Sequence, residues 1–159
     1  MKDYIRKIRS KLGQESFIHP AARIIIENEQ QEVLVIQRRD NGRIGIPAGA
    51  LEEGESIETC IRREVKEETD LSLIDLEVIG ISSNPGLESV IYPNGDCIQY
   101  FTIEFYAKCW EGTLKPEDKD EVTKVAFQHR RILAQLPENE RLAFQSLDYY
   151  RLHGKILLK

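Results

Sequence analysis

Cysteine, histidine and tryptophan are scarce in this chain of 159 residues, which has three cysteines, three histidines and one tryptophan. The cysteines are odd in number and lack paired Cys-x-x-Cys spacing, so the sequence predicts neither a disulfide framework nor a zinc site. This usage is typical of a reducing cytoplasm, which is the predicted location. The histidines form no ligand pair and are expected to be structural or exposed. These residues are Cys60, Cys97, Cys109, His19, His129 and His153.

Long apolar runs and an excess of positive charge are also missing. No stretch approaches the length of a membrane span, and residues 1–14 lack the apolar core of a signal peptide. The net charge of −5 disfavours a protein that holds nucleic acid polymers through bulk positive charge, whereas a small nucleotide remains compatible. The length and the ordinary apolar content suit one domain over residues 1–159.

The chain does have a dense acidic segment at residues 49–71, GALEEGESIETCIRREVKEETDL. Ser56 is a favourable N-cap, and a helix that begins there would have one apolar face. At about 100° per residue, three glutamates point in the same direction as that face. The apolar residues are Ile57, Cys60, Ile61 and Val65, and the three acids are Glu64, Glu67 and Glu68.

This acidic face favours a metal site over a simple solvated surface. The outward side of the helix is already occupied by other polar residues, so the three acids are expected to be half-buried. Like charges repel, and the repulsion grows as water is excluded, so such a face requires a cation. Carboxylate oxygens suit a hard divalent ion, and Mg²⁺ or Mn²⁺ is the predicted cofactor.

The segment resembles the Nudix box, G-x5-E-x7-R-E-U-x-E-E-x-G-U, in which U is an aliphatic residue. One position departs from the pattern, because Asp70 stands where the family has glycine. That glycine ends the helix, often in the left-handed conformation, which aspartate tolerates better than most residues. The preceding residues 46–48 are also similar to Nudix proteins. The matching positions are Gly49, Glu55, Arg63, Glu64, Val65, Glu67, Glu68 and Leu71.

The resemblance implies a hydrolase that cleaves a diphosphate linked to another moiety, usually a nucleoside, with Mg²⁺ or Mn²⁺ bound by the box helix. Glu55 and Arg63 match the family pair that holds the loop against the helix and orients the catalytic glutamate. The family's metal ligands match Glu64, Glu67, Glu68 and the backbone carbonyl of Ala48.

The proton acceptor for the attacking water is predicted to be Glu64 or Glu67. An acid from the later loop is the alternative, and simple solvation is the more ordinary interpretation for every loop acid except Glu121. The loop acids are Glu117, Asp118, Asp120 and Glu121.

The elements read α-β-β-β-α-β-β-β-α, which indicates an α/β fold with a mixed sheet, and the resemblance implies an α/β/α sandwich. A short helix within residues 1–14 is expected to dock on the domain or on a second subunit, which would make the protein a homodimer. The predicted strands are residues 21–27 and 33–38, joined as a hairpin, with 73–82, 97–110 and 122–129, and a helix is predicted over residues 137–152.

Arg38 and Arg39 end a predicted strand near the box, where either could contact a substrate phosphate, although solvation or ion pairing also explains them. Ile44 stands where many relatives have an aromatic residue, so base recognition is undefined. Pro85 lies near a proline position of ADP-ribose pyrophosphatases, but a turn explains it equally well. The aromatic candidates for the cleft are Tyr92, Tyr100 and Phe101.

The predicted substrate is a small nucleoside diphosphate derivative, of the nucleotide-sugar or ADP-ribose type. Two alternatives remain open: a nucleoside triphosphate pyrophosphohydrolase, and a non-catalytic Nudix-like module that senses a nucleotide. No nucleic acid polymer and no membrane are expected as partners.

Overall fold

The central layer of the fold is a mixed six-stranded sheet. The computed structural model describes residues 3–115 and 120–159. The two long strands, β1 (Phe17–Ile26) and β8 (Cys97–Ala107), run parallel along the whole of β1. The shorter strands of this sheet are β4 (Ala48–Ala50), β6 (Glu77–Ser82), β7 (Ser89–Ile91) and β11 (Leu157–Leu158). The order is β11-β6-β8-β1-β4, and β7 pairs with β8.

A second sheet of three antiparallel strands has the order β10-β2-β3, and a further pair joins β5 to β9. The strands of these two sheets are β2 (Val33–Arg38), β3 (Ile44–Gly45), β5 (Ser72–Leu73), β9 (Trp110–Glu111) and β10 (Val122–Gln128).

Helices cover both faces of the large sheet. Alternate residues of β1 point in opposite directions, so Ile24 packs with the residues of α2 while Ile25 packs with those of α5. This arrangement confirms the predicted α/β/α sandwich. No helix in the described residues is long and apolar enough to cross a membrane. The helices are α1 (Asp3–Leu12), α2 (Ile57–Thr69), α3 (Pro85–Glu88), α4 (Glu138–Arg141) and α5 (Ala143–His153), with a 3₁₀ helix at Arg130–Gln135.

The short helix α1 docks on the same chain. Ile5 is buried against Ala50 and Ile98. The backbone N–H of Tyr4 donates to Glu52 at 3.0 Å, and Arg9 is 3.4 Å from Asp96. The helix therefore rests on the loop that precedes α2, while a homodimer remains a prediction.

The predicted hairpin of residues 21–27 and 33–38 is wrong, because β1 and β2 belong to different sheets and meet only at an isolated bridge between Glu27 and Val33. Residues 21–26 are all buried, which is the pattern of a central strand with neighbours on both sides. β1 accordingly lies between β8 and β4.

Two other predicted elements are divided. The predicted strand 73–82 breaks between β5 and β6, where the Asp75 carboxylate accepts hydrogen bonds from the backbone N–H groups of Lys108 and Cys109. The predicted helix 137–152 breaks at Leu142, between α4 and α5. The short elements α3 and β11 were not predicted, because local sequence gives little signal for pieces of four and two residues.

Candidate functional site

The helix α2 begins and ends where its sequence predicts. Ser56 is the N-cap, and its side chain accepts a hydrogen bond from the Thr59 N–H at 3.1 Å. Asp70 adopts the left-handed conformation, with φ of 64°, and its N–H donates to the Lys66 carbonyl at 2.9 Å. The helix is thereby fixed at both ends, and its acidic face has a defined orientation.

Three carboxylates meet beside this helix. Oxygen atoms of Glu64, Glu68 and Glu121 all lie within 4.8 Å of one another, and we call these residues the carboxylate cluster. Glu64 and Glu68 are each 1% exposed, whereas the side chain of Glu67 is 31% exposed and contacts Arg63 instead. The structure thus brings together two of the three predicted helix acids and one loop acid. The loop residues Glu117 and Asp118 lie outside the described residues, and Asp120 is exposed.

Strand β4 packs directly against the cluster. A Cβ atom on Gly49 would lie 2.0 Å from Cδ of Glu64, so any larger residue at this position would displace the Glu64 carboxylate. The backbone N–H of Ala48 donates to Glu68 Oε2 at 3.3 Å. The close approach of β4 to α2 places the backbone of residues 48 and 49 next to both helix carboxylates.

Arg63 joins the loop to the helix, as the resemblance implies. It donates two hydrogen bonds to Glu55, of 3.0 and 2.7 Å, and one of 2.6 Å to Glu64 Oε1. Burial raises the pKa of Glu55, but the hydrogen bonds from Arg63 and from the Glu52 N–H, together with the charge of Arg63, lower the net pKa. The hydrogen bond to Glu55 raises the pKa of Arg63, which therefore remains a cation beside Glu64.

The negative charge of Glu68 is only partly balanced by positive charge. Arg38 lies 3.8 Å from Glu68 and 3.7 Å from Glu140, so its charge is shared between two buried acids. Burial raises the pKa of Glu68 well above its usual value, and the negative charge of Glu64 adds to that shift despite the opposing effect of Arg38. The neighbouring Arg39 donates its backbone N–H to the Glu121 carbonyl at 2.9 Å, which holds the backbone of Glu121 near the two helix acids.

A cleft of about 340 Å³ is lined by Arg38, Ala48 and Gly49, which contact or closely approach the helix acids of the cluster. Tyr92 and Tyr100 line it, and their hydroxyl oxygens are 2.7 Å apart. Phe101 is 41% exposed and is absent from the lining, because successive residues of β8 face opposite sides of the sheet. Other lining residues are Arg23, Glu88 and Glu140.

Three buried charged residues of this cleft were not predicted: Arg23, Glu88 and Glu140. Arg23 does leave a signal, since a charge within the otherwise apolar run 21–26 indicates a buried residue that must be paired. Glu88 and Glu140 lie in helices of four residues, where no periodicity reveals which side is buried. Ile44 packs among the residues beneath α5, and Pro85 begins α3 with Asn84 as the cap.

The chain matches the family model described as NUDIX domain over residues 17–148. It is 31% identical over 149 residues to the ADP-ribose pyrophosphatase of Methanocaldococcus jannaschii, with 83% of each chain covered. It is also 29% identical over 129 residues to the NAD-capped RNA hydrolase NudC of Pseudomonas aeruginosa, but the match covers 80% of this chain and only 42% of that protein.

The fold is also shared with solved structures. The NUDIX domain of Shewanella oneidensis NrtR, in a crystal structure with ADP ribose, superimposes with a TM-score of 0.66 at 17% identity. The superposition covers 98% of this chain and 100% of that domain. The family match, the relatives and the fold agree with the geometry of α2 and its acids. The chain therefore belongs to the NUDIX-domain family, and it is a Nudix hydrolase.

Proposed function

We propose that the protein hydrolyses the diphosphate of a nucleoside diphosphate derivative of the ADP-ribose or nucleotide-sugar type, and that it requires Mg²⁺ or Mn²⁺. The observation that carries this proposal is the carboxylate cluster beside Arg38 and Ala48, two residues that line the cleft. Three crowded acids, with Arg63 at Glu64 and an Arg38 that Glu68 shares with Glu140, form a site that favours a divalent cation.

The donor atoms fit such an ion, because they are all oxygens. Glu64 and Glu68 would hold it, and the Ala48 carbonyl with Glu67 or Glu121 would complete the protein's share of ligands. When bound, the ion supplies positive charge that screens the diphosphate and lowers the pKa of the attacking water.

The arginines and tyrosines position the substrate in this proposal. Arg38 lines the cleft and can pair with a diphosphate oxygen, since guanidinium and phosphate form strong charge-assisted hydrogen bonds. Tyr100 lies farther along the same cleft and contacts the nucleoside half. Arg39 is exposed and absent from the cleft lining, so its proposed phosphate contact would be made from the rim. Arg63 holds Glu64 in place through its hydrogen bonds to Glu64 and Glu55.

The reaction needs a proton acceptor, and we assign this role to Glu67. It is the most exposed of the three helix acids and lines a second cleft of about 490 Å³ together with Glu121. The water oxygen forms a bond to phosphorus, the P–O bond of the anhydride breaks, and the water proton moves to Glu67. Glu64 is the second candidate. The pH–rate profiles of Glu67→Gln and Glu64→Gln distinguish them, since loss of the base removes the acidic limb of the profile.

The substrate class is supported by the resemblance to an ADP-ribose pyrophosphatase and by the ADP ribose bound to the structurally similar domain. Chromatographic analysis of the products tests it. We expect AMP and ribose 5-phosphate from ADP-ribose, with a higher kcat/KM than for release of pyrophosphate from any nucleoside triphosphate. The reverse order would indicate a triphosphate pyrophosphohydrolase. Tight binding of ADP-ribose without hydrolysis, with metal present, would indicate a nucleotide-sensing module.

A further inference from the structure

In one buried carboxylate of the cleft, only one of the two oxygens has hydrogen-bond partners in the described part of the chain. Glu88, at the end of α3, is 1% exposed and lines the cleft. Its Oε2 atom accepts hydrogen bonds from Arg23 at 2.5 Å and from the Thr102 hydroxyl at 3.3 Å. Its Oε1 atom is buried and has no hydrogen-bond partner in the described part of the chain. Buried polar atoms are almost always hydrogen-bonded, so this exception calls for a partner that the protein does not supply.

The carboxylate is held rigidly. Arg23, its main partner, also donates to the backbone carbonyl of Asn139 and lies 3.7 Å from Glu104. The short helix that carries Glu88 is fixed by Asn84, whose side chain accepts a hydrogen bond from the Gly86 N–H at 2.9 Å. An acceptor that is fixed before the ligand arrives loses little entropy on binding, which suits recognition.

The position of Glu88 matches the length of a nucleotide. Ala48, beside the carboxylate cluster, pairs with Arg23 on the neighbouring strand β1. Ala21 of β1 in turn pairs with Thr102 on β8, which contacts Glu88. Two strand spacings of about 4.8 Å separate β4 from β8, so Thr102, which contacts Glu88, lies on a strand about 10 Å across the sheet from the strand of Ala48. A nucleoside monophosphate with its phosphate at the cluster would place its base near Glu88.

We propose that Glu88 Oε1 accepts a hydrogen bond from the 6-amino group of adenine and thereby determines the base specificity of the enzyme. The argument rests on the proposed function, because it takes the cleft as the nucleotide site. One oxygen of Glu88 lacks a partner in the described part of the chain, which suits a single amino donor better than the two hydroxyls of a ribose diol. The aromatic side chain of Tyr100 and the apolar side chain of Val90 line the same cleft and would contact the flat base.

The test compares AMP with two analogues that lack the amino group. These are IMP, which has a carbonyl there, and purine riboside 5′-monophosphate, which has hydrogen. Binding is measured by calorimetry at a fixed Mg²⁺ concentration. We expect the wild-type protein to bind AMP on the order of tenfold to a hundredfold more tightly than either analogue, since a charged buried acceptor would otherwise stay unpaired. Equal affinities would overturn the proposal without any mutant.

The variant Glu88→Gln sharpens the test. The Arg23 cation requires an oxygen at the Oε2 position, so the amide would turn its NH₂ group towards the base. The preference should then reverse, with IMP bound more tightly than AMP. A preference for AMP that survives in this variant would contradict the proposal. Glu77→Gln makes the same chemical change on an exposed residue of β6 and should keep the wild-type preference. Melting curves of both variants confirm folding.

A further arm uses 2′-deoxy-AMP, which keeps the amino group but lacks one ribose hydroxyl. It should bind Glu88 variants and wild type in the same pattern as AMP. If the wild type bound 2′-deoxy-AMP more weakly than AMP, and Glu88→Gln bound the two equally, Oε1 would be assigned to the ribose hydroxyl. That result would overturn the base assignment. The monophosphates contain no anhydride, so their binding is independent of hydrolysis. An adenine preference without hydrolysis would contradict only the proposed function, and hydrolysis without this preference would contradict only the role of Glu88.

Discussion

Two buried carboxylates of this protein, Glu104 and Glu68, differ in how their charge is balanced. Glu104 is fully buried, and it has Lys159 at 2.9 Å, Arg23 at 3.7 Å and a hydrogen bond of 2.5 Å from Ser146. Glu68 is equally buried, yet its cation in the described structure is Arg38 at 3.8 Å.

The difference separates structural charge from functional charge. At Glu104 the protein supplies positive charge and hydrogen bonds on both carboxylate oxygens inside the core. At Glu68 the nearest helix neighbour, Glu64, adds negative charge, and burial raises the pKa. The second site is therefore the one at which we propose that a cation binds from outside the chain. A buried acid indicates function when its surroundings leave it short of positive charge.

The largest expected effect is a loss of catalytic rate on substitution of the helix acids of the carboxylate cluster. Glu64→Gln or Glu68→Gln should lower kcat for ADP-ribose by at least about a hundredfold while the fold survives, because each change removes a charged oxygen from the proposed metal site. Steady-state kinetics and melting curves on the same samples check this. Glu58→Gln, on the exposed side of α2, is the matched control and should retain activity. Full turnover by both cluster variants would break the comparison.

Substitution of Glu104, whose charge is balanced within the protein, should change the stability of the fold instead. Glu104→Gln leaves the buried Arg23 and the half-buried Lys159 without their shared counter-charge, and we expect a loss of about 3 kcal/mol in the free energy of unfolding. Urea denaturation measures it, with Glu77→Gln as an exposed control. Mg²⁺ affinity should remain as in the wild type. A variant as stable as the wild type would show that Glu104 is not held as a buried ion pair.

A smaller effect is expected at Asp70, which departs from the family pattern without touching either site. Asp70→Gly removes the left-handed strain of a non-glycine residue, but it also removes the ion pair of 2.6 Å with Lys66. That pair is largely exposed and contributes little. The free energy of unfolding should therefore change by less than about 1 kcal/mol, with a rise favoured, and kcat should be unchanged. A larger loss in thermal melting would mean that Asp70 stabilises the helix end.

The sequence predicts the helix acids of the carboxylate cluster much better than the ion pairs of Glu104. Spacing along a single helix suffices to place Glu64 and Glu68, because cap residues and a period of 3.6 residues fix their direction. Glu121 is singled out among the loop acids only as an alternative proton acceptor, since its approach to the helix acids depends on Arg39 and on the pairing of β10 with β2.

The ion pairs of Glu104 depend on contacts between distant parts of the chain. Arg23 and Glu104 become neighbours only because β1 and β8 run parallel, a pairing that no local signal indicates. The same pairing explains why the hairpin of β1 and β2 was predicted wrongly. Adjacent strands in sequence are the usual neighbours, whereas here burial on both faces places β1 at the centre of another sheet.

The most direct test of this charge imbalance is the melting temperature as a function of Mg²⁺ concentration, for the wild type and for Glu68→Gln. A ligand that binds only the folded protein stabilises it by about 2.7 kcal/mol at a hundred times its Kd. For a chain of this size that corresponds to a rise of roughly 5 to 10 °C. We predict this rise for the wild type and a much smaller one for Glu68→Gln. Equal shifts in both proteins, or no shift in the wild type, would contradict the account.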